Sequence, residues 1–280
     1  MNLDVRHVQS KSILTRTSGF LNGYTHSLNP YTGCAYGCSF CYVRQMPIAL
    51  FRTKSWGEYV DVKQNANALL EKELVRAKKK EPVFIFMSSS TDPYQPIEMK
   101  AEITRSILTT LIENRPAFLF VQTRSPIVQR DLDLFKELKD QVFVSMTVET
   151  DDDRIRKQFT PNAPAIRGRL KALEKLATAG IPTQAAVAPL LPSTSHFPSL
   201  LADYVERVCI DDFFLGDGSG GKRTSRLNIR SLYDEKHVRD WYDPSARDRL
   251  KKRFLTVFKD ENVRMNQDGF LPPAHLGLNR

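Results

Sequence analysis

The sequence predicts an α/β fold, a βα barrel or part of one, built from about six strand–helix units. From Glu81 onward, short apolar runs alternate with longer stretches in which apolar residues recur at helical spacing. Strands that alternate with helices of this length form a parallel sheet with right-handed crossovers. About six units are fewer than the eight of a complete barrel.

The strands are predicted from runs of β-branched and aromatic residues. Residues 82–87, with the sequence PVFIFM, contain no polar interruption, as expected of a strand covered on both faces. The same criterion predicts strands at 117–123, 142–148, 183–190 and 209–215, and a first strand that ends near Asn29.

The helices are predicted from apolar residues three or four positions apart. Ile103, Ile107 and Leu111, for example, fall on one face of a helix. Gly180 stands where a helix is expected to have just ended. The predicted helices cover residues 65–80, 103–112, 132–138, 166–176 and 200–208.

Composition excludes several classes of protein. Of the 280 residues, 41% are hydrophobic and 26% are charged, which excludes disordered and collagen-like chains. No apolar run approaches the roughly 18 to 20 residues of a membrane helix, and residues 1–19 lack the apolar core of a signal peptide. Four cysteines are too few for a disulfide scaffold. We therefore expect a cytoplasmic protein with no membrane partner.

Basic residues are concentrated near the C-terminus of the sequence. The formal net charge is +9, and residues 222–260 contain twelve Lys or Arg against six Asp or Glu. We expect residues 221–280 to form a basic, mostly helical C-terminal extension packed on a core of residues 1–220. Such a bias favours a polyanionic partner such as nucleic acid, and a solvated helix face is the alternative.

Three cysteines follow the first predicted strand closely. Cys34, Cys38 and Cys41 are spaced Cys-x3-Cys-x2-Cys in one loop. Three thiolates from a tight loop can hold three corners of a 4Fe-4S cluster and leave the fourth iron open to a substrate or cofactor. Gly33 and Gly37 fit such a loop, which needs unusual dihedral angles.

Two other interpretations of the three cysteines stay open at this point. A zinc ion would need a fourth ligand, and Cys209 lies 168 residues beyond Cys41 in an apolar run, although His7 or His26 could complete such a site. A disulfide would use two of the three thiols and leave the third without a partner.

With these residues the sequence resembles the radical S-adenosylmethionine (SAM) superfamily, and within it the spore photoproduct lyase-like, or DNA repair photolyase-like, group. The resemblance extends over about residues 10–215. It is carried by the cysteine loop together with LNPYTGC at 28–34, STDPYQPIE at 90–98, TRSP at 123–126 with Arg130-Asp131, and GIP at 180–182.

The resemblance implies a partial TIM barrel, a (βα)6 radical SAM core, in which SAM binds the open iron through its amino and carboxylate groups. An electron from the reduced cluster then cleaves SAM to methionine and a 5′-deoxyadenosyl radical, which abstracts a hydrogen atom from the substrate. An electron donor such as flavodoxin or ferredoxin is implied as a partner.

The resemblance also implies site residues by position. It places Ser90, Thr91 and Asp92 near the SAM amino group and Arg124 near its carboxylate. Each of these could instead be an ordinary polar residue of a loop. The remaining implied contacts are Ser145 and Thr147 near the ribose and Tyr42 beside the adenine. Tyr42 and Tyr94 are the catalytic candidates. Tyr94 and Glu98 lie beyond a predicted strand end and could face the substrate, and a place in the first turn of the next helix is the alternative for Glu98.

The sequence departs from the lyase pattern at two places. Residues 88–92 read Ser-Ser-Ser-Thr-Asp, so the hydrogen-donating cysteine of that group is missing. Phe40 replaces one of two tyrosines that flank the last cluster cysteine, and Tyr42 is the other. Cys209 could replace the missing thiol only if it faced the barrel interior, and a small core residue is the alternative.

Two weaker signals have ordinary explanations. Residues 216–222, GDGSGGK, match phosphate-loop spacing, but Arg223 stands where Ser or Thr would hold magnesium, which favours a loop that caps the barrel mouth. The acidic run 149–153 could bind a metal, and capping of the next helix or binding of ribose hydroxyls are the alternatives.

The sequence therefore predicts a radical SAM enzyme with a 4Fe-4S cluster and SAM as cofactors. Nucleic acid, for example with a modified or damaged base, is the first substrate hypothesis. The alternatives are a radical SAM enzyme that acts on a peptide or small metabolite, and a non-catalytic iron–sulfur or zinc protein that binds nucleic acid.

Overall fold

The structure is a computed structural model that describes residues 3–233 and 238–273. An eight-stranded sheet forms its centre, and a three-stranded sheet lies beside it. The strands are β1 (Asp4–Val8), β2 (Leu14–Arg16), β3 (His26–Leu28), β4 (Tyr31–Thr32), β5 (Tyr59–Lys63), β6 (Phe84–Met87), β7 (Phe118–Thr123), β8 (Val142–Thr147), β9 (Thr183–Val187), β10 (Val208–Ile210) and β11 (Val263–Met265).

The large sheet has the order β2-β3-β6-β7-β8-β9-β10-β11, and the small one β1-β5-β4. All neighbours in the large sheet are parallel except β2 and β3. The α/β prediction is confirmed, and the described strands form an open sheet with β2 and β11 at its two edges.

Helices connect the parallel strands. They are α1 (Pro47–Leu50), α2 (Ala66–Lys78), α3 (Glu98–Ala101), α4 (Ile103–Glu113), α5 (Leu132–Leu138), α6 (Asp153–Phe159), α7 (Ile166–Thr178), α8 (Phe197–Ala202), α9 (Lys222–Ser225) and α10 (Ser245–Phe254). Short 3-10 helices cover Gly19–Leu21, Tyr42–Gln45, Pro126–Asp131, Lys139–Gln141, Ile229–Tyr233, Arg239–Trp241, Asp260–Asn262 and Asn266–Phe270. None of the helices in the described part of the chain combines the length and apolar composition of a membrane span.

Alternation along the strands gives the large sheet two different faces. The outer face, with residues such as Val121 and Val144, belongs to the main apolar core with the helices. On the inner face, Phe86, Phe120 and Phe143 occupy one row of the register. Their rings stack, with centroids 5.1 Å apart for Phe86 and Phe120 and 5.6 Å for Phe120 and Phe143.

The C-terminal extension contributes to this inner core. Strand β11 pairs in parallel with β10, and the 3-10 helix after it places Phe270 against Phe120. The Tyr24 hydroxyl donates to the Phe270 carbonyl over 2.6 Å. Cys209 lies on the inner side, fully buried, and a Cβ atom on Gly269 would lie only 2.0 Å from its Sγ. Cys209 is thus a core residue covered by the extension.

Three sequence predictions about elements need correction. The helix predicted at 200–208 is Phe197–Ala202, because Val205 reaches the core from the following turn and Val208 already begins β10. The strand predicted at 209–215 ends at Ile210, where Asp211 and Asp212 begin a turn. The extension predicted as mostly helical also contains β11, and its residues 234–237 and 274–280 lie outside the described residues.

Candidate active site

The cysteine loop follows β3 and β4 at the end of the sheet where the parallel strands finish. Gly33 and Gly37 have φ values of +89° and +54°, which favour glycine. A Cβ on Gly33 would lie 2.3 Å from the Tyr59 carbonyl, and one on Gly37 would lie 3.0 Å from the Gly57 Cα. The conformation and the close packing of this loop therefore both require the two glycines.

The three cysteine thiols are free and lie within electrostatic range of one another. Cys34 and Cys38 are buried and Cys41 is half-buried. Burial raises the pKa of all three, that of Cys41 to about 11. The structure brings these predicted ligands together without a disulfide between any of them.

No group of three or more His, Cys, Asp or Glu side chains within residues 3–233 and 238–273 is placed to hold a single metal ion. The possible extra zinc ligands lie elsewhere: His7 is exposed on β1, and the His26 ring contacts Thr25 at the start of β3. A 4Fe-4S cluster has its irons at separate corners, so its thiolates need not converge on one point. The donor set of Cys34, Cys38 and Cys41 fits such a cluster.

Neighbouring side chains hold the backbone of the cysteine loop. Arg44 donates to the carbonyls of Gly37 (2.6 Å) and Cys38 (2.9 Å). Thr91, on the loop after β6, donates its hydroxyl proton to the Gly33 carbonyl over 2.6 Å. Thr91, predicted near SAM, therefore already supports the cysteine loop.

Asp92 joins the ends of β6 and β7. One carboxylate oxygen accepts from the Thr123 hydroxyl (2.7 Å) and the Tyr94 amide (2.9 Å), and the other accepts from the Arg124 amide (2.9 Å). Burial raises the pKa of Asp92, which these hydrogen bonds oppose. The carboxylate lies within electrostatic range of the Cys34 thiol.

The serine run before Asp92 occupies the position of the missing thiol. Ser88 has a left-handed backbone, with φ of +77°, and its buried hydroxyl has no hydrogen-bond partner within the described residues. Ser90 donates its amide to Asn29, which also donates to the Ser89 hydroxyl. Ser90, predicted near the SAM amino group, is thus held next to Asn29, which precedes the cysteine loop.

Tyr94 and Glu98 are both fully buried, and Glu98 begins α3, as its helix alternative predicted. Tyr94 is fully buried in the outer core, and its hydroxyl is near Asp131. Glu98 accepts from Arg130 Nη2 over 2.6 Å and from the Thr104 amide over 2.9 Å. The resemblance segments at 90–98 and 130–131 therefore form one buried ionic cluster that anchors the loops.

Arg124, at the end of β7, lies among negative groups. Its guanidinium is paired with Glu149 and lies 5.9 Å above the Phe40 ring. Burial alone would lower its pKa, but the Cys38 thiol, Glu149 and Asp92 together raise it. Arg124 is thus a buried cation beside the cysteine loop.

Ser145 and Thr147, predicted near the ribose, lie on the inner face of β8. The Ser145 hydroxyl accepts from Gln184 over 3.0 Å, and the Thr147 hydroxyl accepts from Gln122 over 2.6 Å. The sequence reasoning missed both glutamines. Gln122 lies two residues after Phe120, and Gln184 lies two residues before Ala186. Because Phe120 and Ala186 face inward, this spacing is the signal that could have identified both glutamines.

Tyr42 follows Cys41 directly and donates its hydroxyl to the Ser89 carbonyl over 2.5 Å. Burial, Cys41, Asp211 and Asp217 raise its pKa, whereas Arg223 opposes the shift. Tyr42 therefore connects the cysteine loop, the serine run and the loop after β10.

The glycine-rich loop at 216–222 is built around one of its own carboxylates. Asp217 accepts from the amides of Ser219 (2.8 Å), Gly221 (2.9 Å) and Thr224 (3.0 Å). Two amides of the loop that could bind a phosphate, those of Ser219 and Gly221, are thus already engaged. Helix α9, which follows, packs against the 3-10 helix of Tyr42, so this capping loop lies over the site.

The acidic run at 149–153 is divided among ordinary roles. Glu149 is paired with Arg124 and Arg169, and Asp151 accepts from the Thr194 amide over 2.8 Å. Asp152 caps α6 by accepting from the Arg154 amide over 2.8 Å. The helix-cap alternative is therefore confirmed for Asp152.

Asp211 is a site residue that the sequence reasoning did not select. It follows β10, and burial, helped by Asp212 and Asp217, raises its pKa to about 7. A Cβ on Gly216 would lie 2.1 Å from its Oδ2, so the capping loop approaches it through a glycine. Asp211 is therefore a buried carboxyl near Tyr42 that can change charge near neutral pH.

Comparison with known proteins identifies the family of this chain. The family model of the Radical SAM superfamily matches residues 28–196. An uncharacterized protein of Methanocaldococcus jannaschii is 31% identical over 190 residues, which are 68% of this chain and 69% of that protein. An uncharacterized protein of Acidianus two-tailed virus is 31% identical over 173 residues, 59% of this chain and 56% of that protein.

Solved structures share the fold. A spore photoproduct lyase variant with bound AdoMet and dinucleoside spore photoproduct has a TM-score of 0.64 at 16% identity, covering 96% of this chain and 82% of that one. Streptococcus suis SuiB bound to S-adenosylmethionine has a TM-score of 0.57 at 12% identity, covering 89% of this chain and 50% of that one. Because the family model matches more than half of its residues, the chain belongs to the Radical SAM superfamily and is a radical SAM enzyme.

Proposed function

We propose that this protein binds a 4Fe-4S cluster through Cys34, Cys38 and Cys41, cleaves SAM reductively and uses the resulting radical on a nucleic acid. The observation that carries the cofactor assignment is the convergence of three thiols, Asp92 and Arg124 at one end of the sheet. When bound, the cluster would supply the electron for cleavage and an open iron for the SAM amino and carboxylate groups.

The chain's own residues would bind and orient SAM. Arg124 is a buried cation of the kind that pairs with a carboxylate. Ser90 and Thr91 lie beside the cysteine loop, where hydroxyls can accept from an ammonium group. Asp92 would contribute mainly by fixing the Arg124 backbone, because its oxygens already accept three hydrogen bonds.

On the other side of the site, the hydroxyls of Ser145 and Thr147 face inward where a ribose would lie. Tyr42 would lie beside the adenine, and we keep it as the catalytic candidate because its hydroxyl lies beside the serine run. Cys209 is excluded as a replacement hydrogen donor, since the C-terminal extension covers it in the core.

A nucleic acid substrate is supported by the surface of α10 and its surroundings. Lys252 and Lys259 are exposed, and Lys251 lies 3.8 Å from Asp260. Arg253 is engaged within the protein, because it donates to the Thr194 carbonyl and lies 5.8 Å above the Trp241 ring. The lyase structures with a bound dinucleoside photoproduct agree with this substrate class.

The first experiment tests the cofactors. Protein reconstituted without oxygen should hold close to four irons and, with reductant and SAM, form 5′-deoxyadenosine. Alanine at Cys34, Cys38 or Cys41 should abolish both results, whereas Cys209→Ser, as the matched control, should leave iron content intact. A colourless protein with one tightly bound zinc ion would refute the proposal.

The second experiment tests the substrate class. The affinity for a labelled oligonucleotide should fall with salt, with a slope of about 0.9 per phosphate neutralised on duplex DNA or about 0.7 on single strands. Lys252→Ala/Lys259→Ala should flatten the slope by about one to two units. The control Lys171→Ala/Lys175→Ala removes two exposed charges from α7 and should leave the slope unchanged. Equal slopes for all three proteins would favour a peptide or small-metabolite substrate.

A further inference from the structure

A buried row of three charges lies beside the cysteine loop. Glu149, which follows β8, is paired with Arg124 through one carboxylate oxygen and with Arg169 through the other, the latter at 2.6 Å. Glu149 is 1% exposed and Arg169 is fully buried. Arg124 lies 5.9 Å above the ring of Phe40 in the cysteine loop, and all three charges affect the pKa of the Cys38 thiol.

The charges of the row do not cancel. Two guanidinium groups face one carboxylate, which leaves one net positive charge. Burial alone would raise the pKa of Glu149, but Arg124 and Arg169 outweigh it and hold that pKa below its ordinary value. Glu149 is therefore ionised at neutral pH, and the row carries a charge of about +1.

Arg169 is fixed by several hydrogen bonds, although one of its guanidinium nitrogens has no partner within the described residues. It comes from α7 and donates to the carbonyls of Pro164 (3.0 Å) and Thr147 (3.1 Å) as well as to Glu149. Its Nη2 has no hydrogen-bond partner within the described residues. Apolar side chains could fill this part of the core equally well, since buried ion pairs are weak sources of stability.

We propose that Glu149 and Arg169 are positioning residues that hold Arg124 beside the cysteine loop and, through the net charge of the row, set the reduction potential of the cluster. This inference rests on the proposed function, because it requires a cluster on the three cysteines. Iron–sulfur potentials respond to net charge nearby, and charges act strongly in a site with little water. A positive row stabilises the reduced, more negative cluster.

Single substitutions should shift the midpoint potential in opposite directions. Glu149→Gln removes a negative charge and should raise the ratio of reduced to oxidised cluster at a fixed potential roughly tenfold, about 59 mV for one electron. Arg169→Gln should lower that ratio by a similar factor. The double variant restores the net charge of +1 and should return to within about threefold of wild type. The measurement is a spectroelectrochemical titration of reconstituted protein without SAM.

Two controls separate charge from packing. Arg169→Lys keeps the charge but changes its shape, and it should stay close to the wild-type potential. Arg105→Gln removes a positive charge from a partly exposed pair with Asp131 and Asp133, and it should leave the potential unchanged. If Arg169→Gln fails to retain iron, Arg124→Gln replaces it as the variant that removes a positive charge, and it should shift the midpoint potential in the same direction.

The outcomes distinguish the inference from the proposed function. Wild-type protein that holds no four-iron cluster would refute the proposed function. Normal iron content with shifts of the same sign in both single variants, or with no shift in either, would overturn the inference alone.

Discussion

The inner face of the large sheet has two halves that differ in chemistry. In the lower half, Phe86, Phe120 and Phe143 stack in one row and Phe270 closes against them. Two residues further along the same strands, the upper row holds Gln122 and, beside it, Ser145 and Gln184. The alternation of a strand sets which side chains face inward. The residue type then determines whether that part of the face is core or site.

The two halves also differ in their buried polar groups. The lower half is filled by aromatic rings, where the Tyr24 hydroxyl donates to the Phe270 carbonyl and Arg207 lies 5.1 Å above the Phe143 ring. In the upper half, buried oxygens of Gln122 and Gln184 have no hydrogen-bond partner within the described residues. Substitutions in the lower half should therefore affect stability, and those in the upper half ligand binding.

The largest effect on stability is expected from Phe120→Ala, at the centre of the aromatic row. Removal of a fully packed ring leaves a cavity, so the free energy of unfolding should fall by about 3–5 kcal/mol, measured by urea denaturation. A loss below about 1 kcal/mol would show that the lower half is not a close-packed core.

Asp211 tests the upper half of the inner face. Because its pKa is raised in the folded protein, ionising this buried carboxyl at neutral pH destabilises the fold. Protonated Asp211 is favoured in the folded protein, so its contribution to stability is present below about pH 4 and is lost as pH rises through about 7. Asp211→Asn should therefore stabilise the protein at pH 8 by up to about 4 kcal/mol, and hardly at all at pH 4.

Urea denaturation at the two pH values measures this difference for Asp211→Asn. The control Asp203→Asn removes an exposed carboxyl next to α8 and should match wild type at both values. An equal effect of Asp211→Asn at pH 4 and pH 8 would contradict the pKa of about 7.

Gly269→Ala tests how the C-terminal extension closes over the inner face of the sheet. The new methyl group would lie 2.0 Å from Cys209 Sγ and 2.6 Å from its Cβ, so we expect a loss of about 1–3 kcal/mol in the free energy of unfolding. Adding Cys209→Ala removes the closer contact, and the double variant should lose less than the sum of the single losses. Strict additivity would show that the extension adjusts its position freely.

The smallest stability effect is expected from Gln122→Met, which keeps the side-chain volume but removes the hydrogen bond to Thr147. Stability should change by about 1 kcal/mol or less, while the Kd for SAM should rise roughly five- to tenfold if Thr147 contacts the ribose. Isothermal titration of reconstituted protein with SAM measures the Kd. An unchanged Kd would show that Thr147 does not contact the ribose.

The sequence predicted the alternating strands and the cysteine loop because both are local patterns. Buried β strands such as Phe84–Met87 and a spacing such as Cys34, Cys38 and Cys41 are visible within a few residues. The family resemblance added Arg124 and Asp92, which the structure places beside the loop.

What the sequence did not predict depends on contacts between distant segments. Tyr94 looked like a site residue because it lies in a resemblance segment, yet Asp131 and Arg130 from another loop fix its environment. Strand β11 is three residues long and pairs only because β10 offers a free edge. Asp211 acquires its pKa from burial under a loop whose path is not a local property.

The bond between Tyr24 and Phe270 joins residues 246 positions apart. During synthesis the N-terminal part of the chain leaves the ribosome first. The stacked rings on the inner face of the sheet therefore stay exposed to water until about residue 270 has emerged. Until then the exposed phenylalanines are a surface for chaperones or for aggregation.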